Sequence, residues 1–132
     1  MHTKTSKDLY YTGDHEWVNF QGTVAYAGIC KFKLTGFKQI QEIVFNDTEG
    51  FKKQGDIIAS LTYRDYKIEA HMPADGKIIQ VNNTLTTIDP AMLLESIEST
   101  AWLIKFIPAM PYDRTGLLLP RQYQMNHHKY AK

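Results

Sequence analysis

The chain has 132 residues, of which 43% are hydrophobic and 12% aromatic, enough apolar material for one packed domain and too much for wholesale disorder. A formal net charge of +1 excludes the strong basic field of a typical nucleic-acid binder. With a single cysteine, Cys30, no intramolecular disulfide and no thiolate zinc cluster can form, and no apolar run has transmembrane length.

In chain order, Met1 to Leu9 is a polar lead without an apolar signal core, so the cytoplasm is the expected compartment. Glu16 to Phe20 and Thr23 to Ile29 read as two strands joined by the turn pair Gln21-Gly22, a hairpin. Lys33 to Gln41 has the make-up of a short helix, although Gly36 inside it costs roughly 1 kcal/mol relative to alanine. Ile43-Val44-Phe45 is a brief strand, followed by a loop from Asn46 to Gly50.

The next segment alternates clearly. Ile57, Ala59 and Leu61 share one strand face, and after a polar break at Arg64-Asp65 so do Ile68, Ala70 and Met72, with Lys67, Glu69 and His71 opposite them. The break is a hairpin tip. Pro73-Ala74-Asp75-Gly76 turns the chain into another strand, Lys77 to Val81. Asp89 caps an expected helix with Pro90 at its first position, running to about Ile97, and Trp102 to Phe106 is the last strand.

Beyond Pro108 the pattern fails. Residues 109–132 form an arm in which Arg114, Arg121, Lys129 and Lys132 stand against Asp113 alone, so a basic tail follows a mildly acidic body. Pro108, Pro111 and Pro120 argue against a long helix, and an extended segment is expected. Its candidate partner-binding residues are Tyr112, Arg114, Leu117, Leu118, Leu119, Arg121 and Tyr123. The alternative is that Leu117 to Leu119 folds back over an apolar patch.

Several of these runs together resemble one family. Tyr11-Thr12-Gly13-Asp14-His15-Glu16-Trp17-Val18 is similar to the opening of glycine cleavage H-proteins, and Gly28-Ile29, Ile43-Val44-Phe45, Val81-Asn82 and Trp102-Leu103-Ile104-Lys105 follow in that family's order. Gly55-Asp56, the alternating hairpin and Met72-Pro73-Ala74-Asp75-Gly76 resemble the wider lipoyl and biotinyl domain hairpin. The resemblance spans residues 10–108 and implies a mainly β fold, a flattened β-barrel or sandwich hybrid of the lipoyl type with a few short helices. It also implies a non-catalytic protein that carries lipoate on a lysine at the hairpin tip and visits partner enzymes.

Here the chain departs from the pattern. Counting back from Pro73 by the family's spacing reaches Asp65, and counting forward from Gly55-Asp56 reaches the same residue. Lipoate is attached through an amide with a lysine ε-amine, and a carboxylate has no amine to acylate. Thr62-Tyr63-Arg64-Asp65-Tyr66 stands in place of the family's motif. The expectation is therefore a protein-binding or scaffold subunit without a cofactor, with Tyr63, Arg64 and Tyr66 as its docking tip and a protein partner of unknown identity. The alternative is a true carrier modified at Lys67, the nearest lysine, which strand alternation otherwise places as an ordinary solvent-facing residue.

Other chemistry is weaker. Asp14-His15-Glu16 mixes metal-ligand types, but neighbouring strand residues point to opposite faces and converge poorly on one ion, so no metal site is expected. His127-His128 lacks companion ligands at suitable spacing. Cys30, near Lys31 and Lys33, reads as a small buried thiol. No nucleophile–base set, paired-carboxylate signature or phosphate-cradling loop stands out, so the chain does not read as an enzyme.

Overall fold

The computed structural model describes residues 8–35, 39–83, 102–110 and 113–130, with 126–130 described as backbone. Among these, strands dominate: β1 (Asp8–Tyr11), β2 (Glu16–Gln21), β3 (Val24–Ile29), β4 (Glu42–Phe45), β5 (Gly50–Lys52), β6 (Ile57–Tyr63), β7 (Tyr66–His71), β8 (Gly76–Val81) and β9 (Ile104–Pro108). A short 3-10 helix (Lys31–Leu34) follows β3, and α1 (Pro120–Tyr130) ends the described chain. The strands form two antiparallel sheets, one of order β1-β2-β3-β9-β8-β5 and one of order β4-β6-β7. This is the mainly β lipoyl-type fold expected, built as two open sheets and not as a closed barrel.

Alternation within strands decides what each sheet buries. From β2, Val18 and Phe20 enter a core shared with Ala27, Leu61, Ile78 and Phe106. Trp17, one residue before Val18 and so out of phase with it, takes the outer face of the larger sheet and is 1% exposed. There it packs in a second cluster with Tyr11, Cys30 and Tyr123. At Gly28, opposite Trp17 in the register, a Cβ atom would lie 2.6 Å from the indole, so only hydrogen fits.

The arm closes this second cluster, which corrects the expectation of an extended tail. Leu118 exchanges two backbone hydrogen bonds with Tyr11, of 2.7 and 2.8 Å. The Tyr123 ring stacks on Tyr11 with centroids 4.4 Å apart. Pro120 opens α1 instead of preventing it, because a proline at the first helical position gives up an N–H that has no helical acceptor. Gln122 completes the start by accepting a hydrogen bond from the Leu119 N–H at 2.8 Å, half of a capping box. Gln54 links the arm to the β7–β8 turn: its side-chain amide nitrogen donates to the carbonyls of Thr115 and Pro73.

Two further expectations change. Of the helix expected from Lys33 to Gln41, the described residues show a 3-10 helix (Lys31–Leu34) and no helix at 39–41, where the Gln41 N–H donates to the Thr62 carbonyl of β6; residues 36–38 lie outside the described residues. The polar lead includes β1, whose Asp8 and Leu9 pair with Phe20 and Asn19. The helix expected from Asp89 to Ile97 lies outside the described residues, as does Tyr112.

Candidate functional site

The β6–β7 hairpin narrows to a loop of two residues. Tyr63 and Tyr66 are the last paired positions, leaving Arg64 and Asp65 as the tip. Arg64 holds the left-handed backbone conformation, with φ of 55°, and its N–H donates to the Gln41 side-chain carbonyl at 2.8 Å. That bond ties the tip to the segment entering β4. The Tyr63 and Tyr66 rings lie nearly parallel, 6.4 Å between centroids, and the Arg64 guanidinium sits 5.3 Å from the Tyr63 ring. Tyr63 is buried while Tyr66 is 58% exposed, so the pair has an anchored member and a presented one.

Asp65 and Lys67 are both exposed. Lys67 lies on β7 opposite Thr62, two residues past Asp65. A carboxylate at the tip does not fit a group that is attached through an amine. The Lys67 amine does fit that chemistry and stands on the same end of the hairpin.

At the other end of β7 the chain assembles a charged cluster that the sequence pattern did not reveal. Glu16 is buried at 2% exposure and Asp14 flanks it. Lys33, from the 3-10 helix, places its ammonium 2.8 Å from a carboxylate oxygen of each. His71 approaches from β7, its Nδ1 2.8 Å from Asp14 Oδ2 and 2.9 Å from Glu16 Oε2, while its backbone N–H donates to Glu16 at 2.8 Å. Burial raises the Asp14 pKa, but the hydrogen bond from Lys33 and its charge, with His71 and His15 contributing, bring it below the usual carboxylate value.

Asp14 and Glu16 converge because they are two residues apart and His15 between them has a φ of 63°. His15 turns the other way. Its ring packs on Phe32 and its Nδ1 lies 2.9 Å from the Tyr123 hydroxyl. The i, i+2 spacing was a legible signal for the two carboxylates. Nothing in the sequence pointed to His71, which joins across a separation of 55 residues.

The arm residues divide by what they touch. Arg114 pairs with Asp8 at 2.7 Å and lies 3.7 Å over the Phe20 ring. Leu117 and Leu118 pack against the two clusters, and Tyr123 is buried. Leu119 and Arg121 are exposed. Cys30 is wholly buried in the outer cluster. Among the described residues, no helix is long and apolar enough to cross a membrane.

Comparison with known proteins agrees with this architecture. The profile of the family described as glycine cleavage H-protein matches residues 9–130. The glycine cleavage system H protein of Alkaliphilus oremlandii is 31% identical over 120 residues, covering 91% of this chain and 93% of that protein. The corresponding protein of Bacteroides fragilis is 29% identical over 121 residues, covering 89% and 93%. The crystal structure of a glycine cleavage system H protein from Mycobacterium marinum superposes with a TM-score of 0.78 at 20% identity, covering 94% of this chain and 99% of that one. The family match overturns the expectation of a chain without a cofactor, because glycine cleavage H-proteins carry lipoate on a lysine. They are carriers and not catalysts, in keeping with the non-enzymatic reading of the sequence.

Proposed function

Because this chain belongs to the glycine cleavage H-protein family, we propose that its working end is the β6–β7 hairpin, with Lys67 as the attachment point for lipoate and the tip as a docking face for partner proteins of glycine cleavage. The observation that carries this reading is the exposed end of the hairpin, where Lys67 offers an amine beside a presented tyrosine. Lipoate on a lysine supplies a dithiolane that accepts and hands on a group. The residues of this chain do the remaining work.

Lys67 supplies the amine for the amide. Arg64, fixed by Gln41 and by the Tyr63 ring, limits how the tip can flex. Tyr66 gives a partner a broad, rigid contact of the kind that dominates protein interfaces. Asp65 sets a negative charge between Arg64 and Lys67, so a partner must complement a mixed-sign tip. Of the arm, Leu119 and Arg121 face solvent, while Arg114, Leu117, Leu118 and Tyr123 hold the arm in place. The buried thiol of Cys30 is compatible with a reducing compartment, and we place the protein in the cytoplasm.

The test is direct. The full chain is incubated with a lipoate ligase, lipoate and ATP, and its intact mass and tip peptide are measured. One lipoyl adduct on Lys67, lost in Lys67→Arg, is expected. An unmodified chain, or an adduct on a different lysine, would remove Lys67 from the role. Docking is read separately, from the affinity of Tyr66→Ala for the host's glycine cleavage enzymes, which is expected to fall about tenfold or more.

A further inference from the structure

We propose that Asp14, Glu16 and His71 form a binding site for one divalent transition-metal ion of the Zn2+ type, entered through the pocket at the base of β7. The three residues offer one ligand atom each, all within 4.8 Å of one another. They also line a cavity of about 310 Å³ together with Thr12, Gln54 and Met72. The cavity gives an ion a route in and leaves space on its open side for water.

The donor set selects the class of ion. One imidazole nitrogen with two carboxylate oxygens suits zinc and its neighbours, whereas calcium and magnesium favour all-oxygen sites. The spacing is close to what such an ion needs. With bonds of about 2.0–2.1 Å, tetrahedral ligands lie roughly 3.3 Å apart. His71 Nδ1 stands 2.8 Å from Asp14 Oδ2 and 2.9 Å from Glu16 Oε2, so a small outward movement would admit the ion. Supporting bonds hold the central ligand: the His71 N–H donates to Glu16 Oε2, and the Thr12 hydroxyl lies 3.4 Å from Glu16 Oε1.

Lys33 is the internal competitor. Its ammonium, 2.8 Å from each carboxylate, supplies the positive charge that a metal would otherwise provide. An incoming ion must displace it, so Lys33 weakens metal binding and neutralises the carboxylates when the ion is away. A metal here would also fasten the start of β2 and the turn before it to the base of the hairpin, since Glu16 and Asp14 come from the first and His71 from the second. This inference does not depend on the chemistry proposed for Lys67.

Titration calorimetry of the full chain with ZnCl2 in metal-free buffer tests the site, with Co2+ absorption in the visible as a second measurement. One saturable site is expected. His71→Ala should weaken it roughly tenfold or more, a loss at least as large as those seen when supporting groups around a metal are removed. Lys33→Met should tighten it, and His127→Ala with His128→Ala should leave it unchanged. Absence of saturable binding at millimolar Zn2+, binding that survives His71→Ala, or binding lost with the helix pair would overturn the proposal. Should His71→Ala fail to fold, Lys33→Met decides, since an affinity equal to or weaker than wild type contradicts displacement.

Discussion

The hydroxyl of Tyr123 lies 2.9 Å from Nδ1 of His15, joining the last helix to the turn between the first two strands across 108 residues of chain. The same tyrosine ring stacks on Tyr11, so one side chain closes the outer cluster by both packing and a polar contact. The arm is thereby part of the fold.

Tyr123→Ala should lower stability by about 2–4 kcal/mol, because a buried aromatic ring is lost and Tyr11 and Trp17 are partly uncovered. Tyr123→Phe keeps the stack and should cost about 1 kcal/mol, the net worth of one hydrogen bond. Urea unfolding followed by tryptophan fluorescence measures both. Two midpoints equal to wild type would show that the arm does not dock in solution.

Gly28→Ala should destabilise by about 1–3 kcal/mol through overpacking, since the new methyl group would sit 2.6–2.7 Å from Trp17 ring atoms in a fully packed cluster. The near-ultraviolet circular dichroism of Trp17 should change with it. A variant as stable as wild type, with an unchanged spectrum, would mean that the indole has room to move.

Arg114→Lys should cost about 1 kcal/mol although the charge is kept. The flat guanidinium covers the Phe20 ring at 3.7 Å while pairing with Asp8, and an ammonium cannot do both. A double-mutant cycle with Asp8→Asn separates the ion pair from the stack. If Arg114→Lys is neutral, the ring contact contributes nothing measurable.

Asp65→Lys should accept lipoate from a ligase more slowly than a variant that also replaces Tyr63, Arg64 and Tyr66 by Ser, Val and Ala. Those side chains crowd the tip with two stacked rings and a guanidinium. Mass spectrometry over a time course compares the two. Equal rates would show that the ligase ignores these neighbours.

Most of the strand pattern was legible because alternation is a local property. Val18 and Phe20 face one way and Trp17 the other whatever the rest of the chain does. The tip at Arg64-Asp65 was legible for the same reason, as a polar pair between two alternating runs. The ordered motifs from Tyr11 to Lys105 pointed to the family, and the family profile over residues 9–130 agrees. Strands β1 and β5 were missed because each is short and takes its identity from a neighbour: Asp8 to Tyr11 pairs with β2, and Gly50 to Lys52 with β8.

The sequence by itself therefore determined the mainly β class, the hairpin, and the identity of the residue at its tip, since each follows from composition, local periodicity or counted spacing. Only the tertiary structure decided where the arm lies and what surrounds Glu16. Leu118 reads equally well as a partner-binding or a core residue, and Tyr123 reads as partner-binding, until Tyr11 and His15 are placed opposite them. Lys33 and His71 reach Glu16 from a 3-10 helix and from a strand in the other sheet. Such meetings depend on how separate elements pack in three dimensions, and no local period in the chain encodes them.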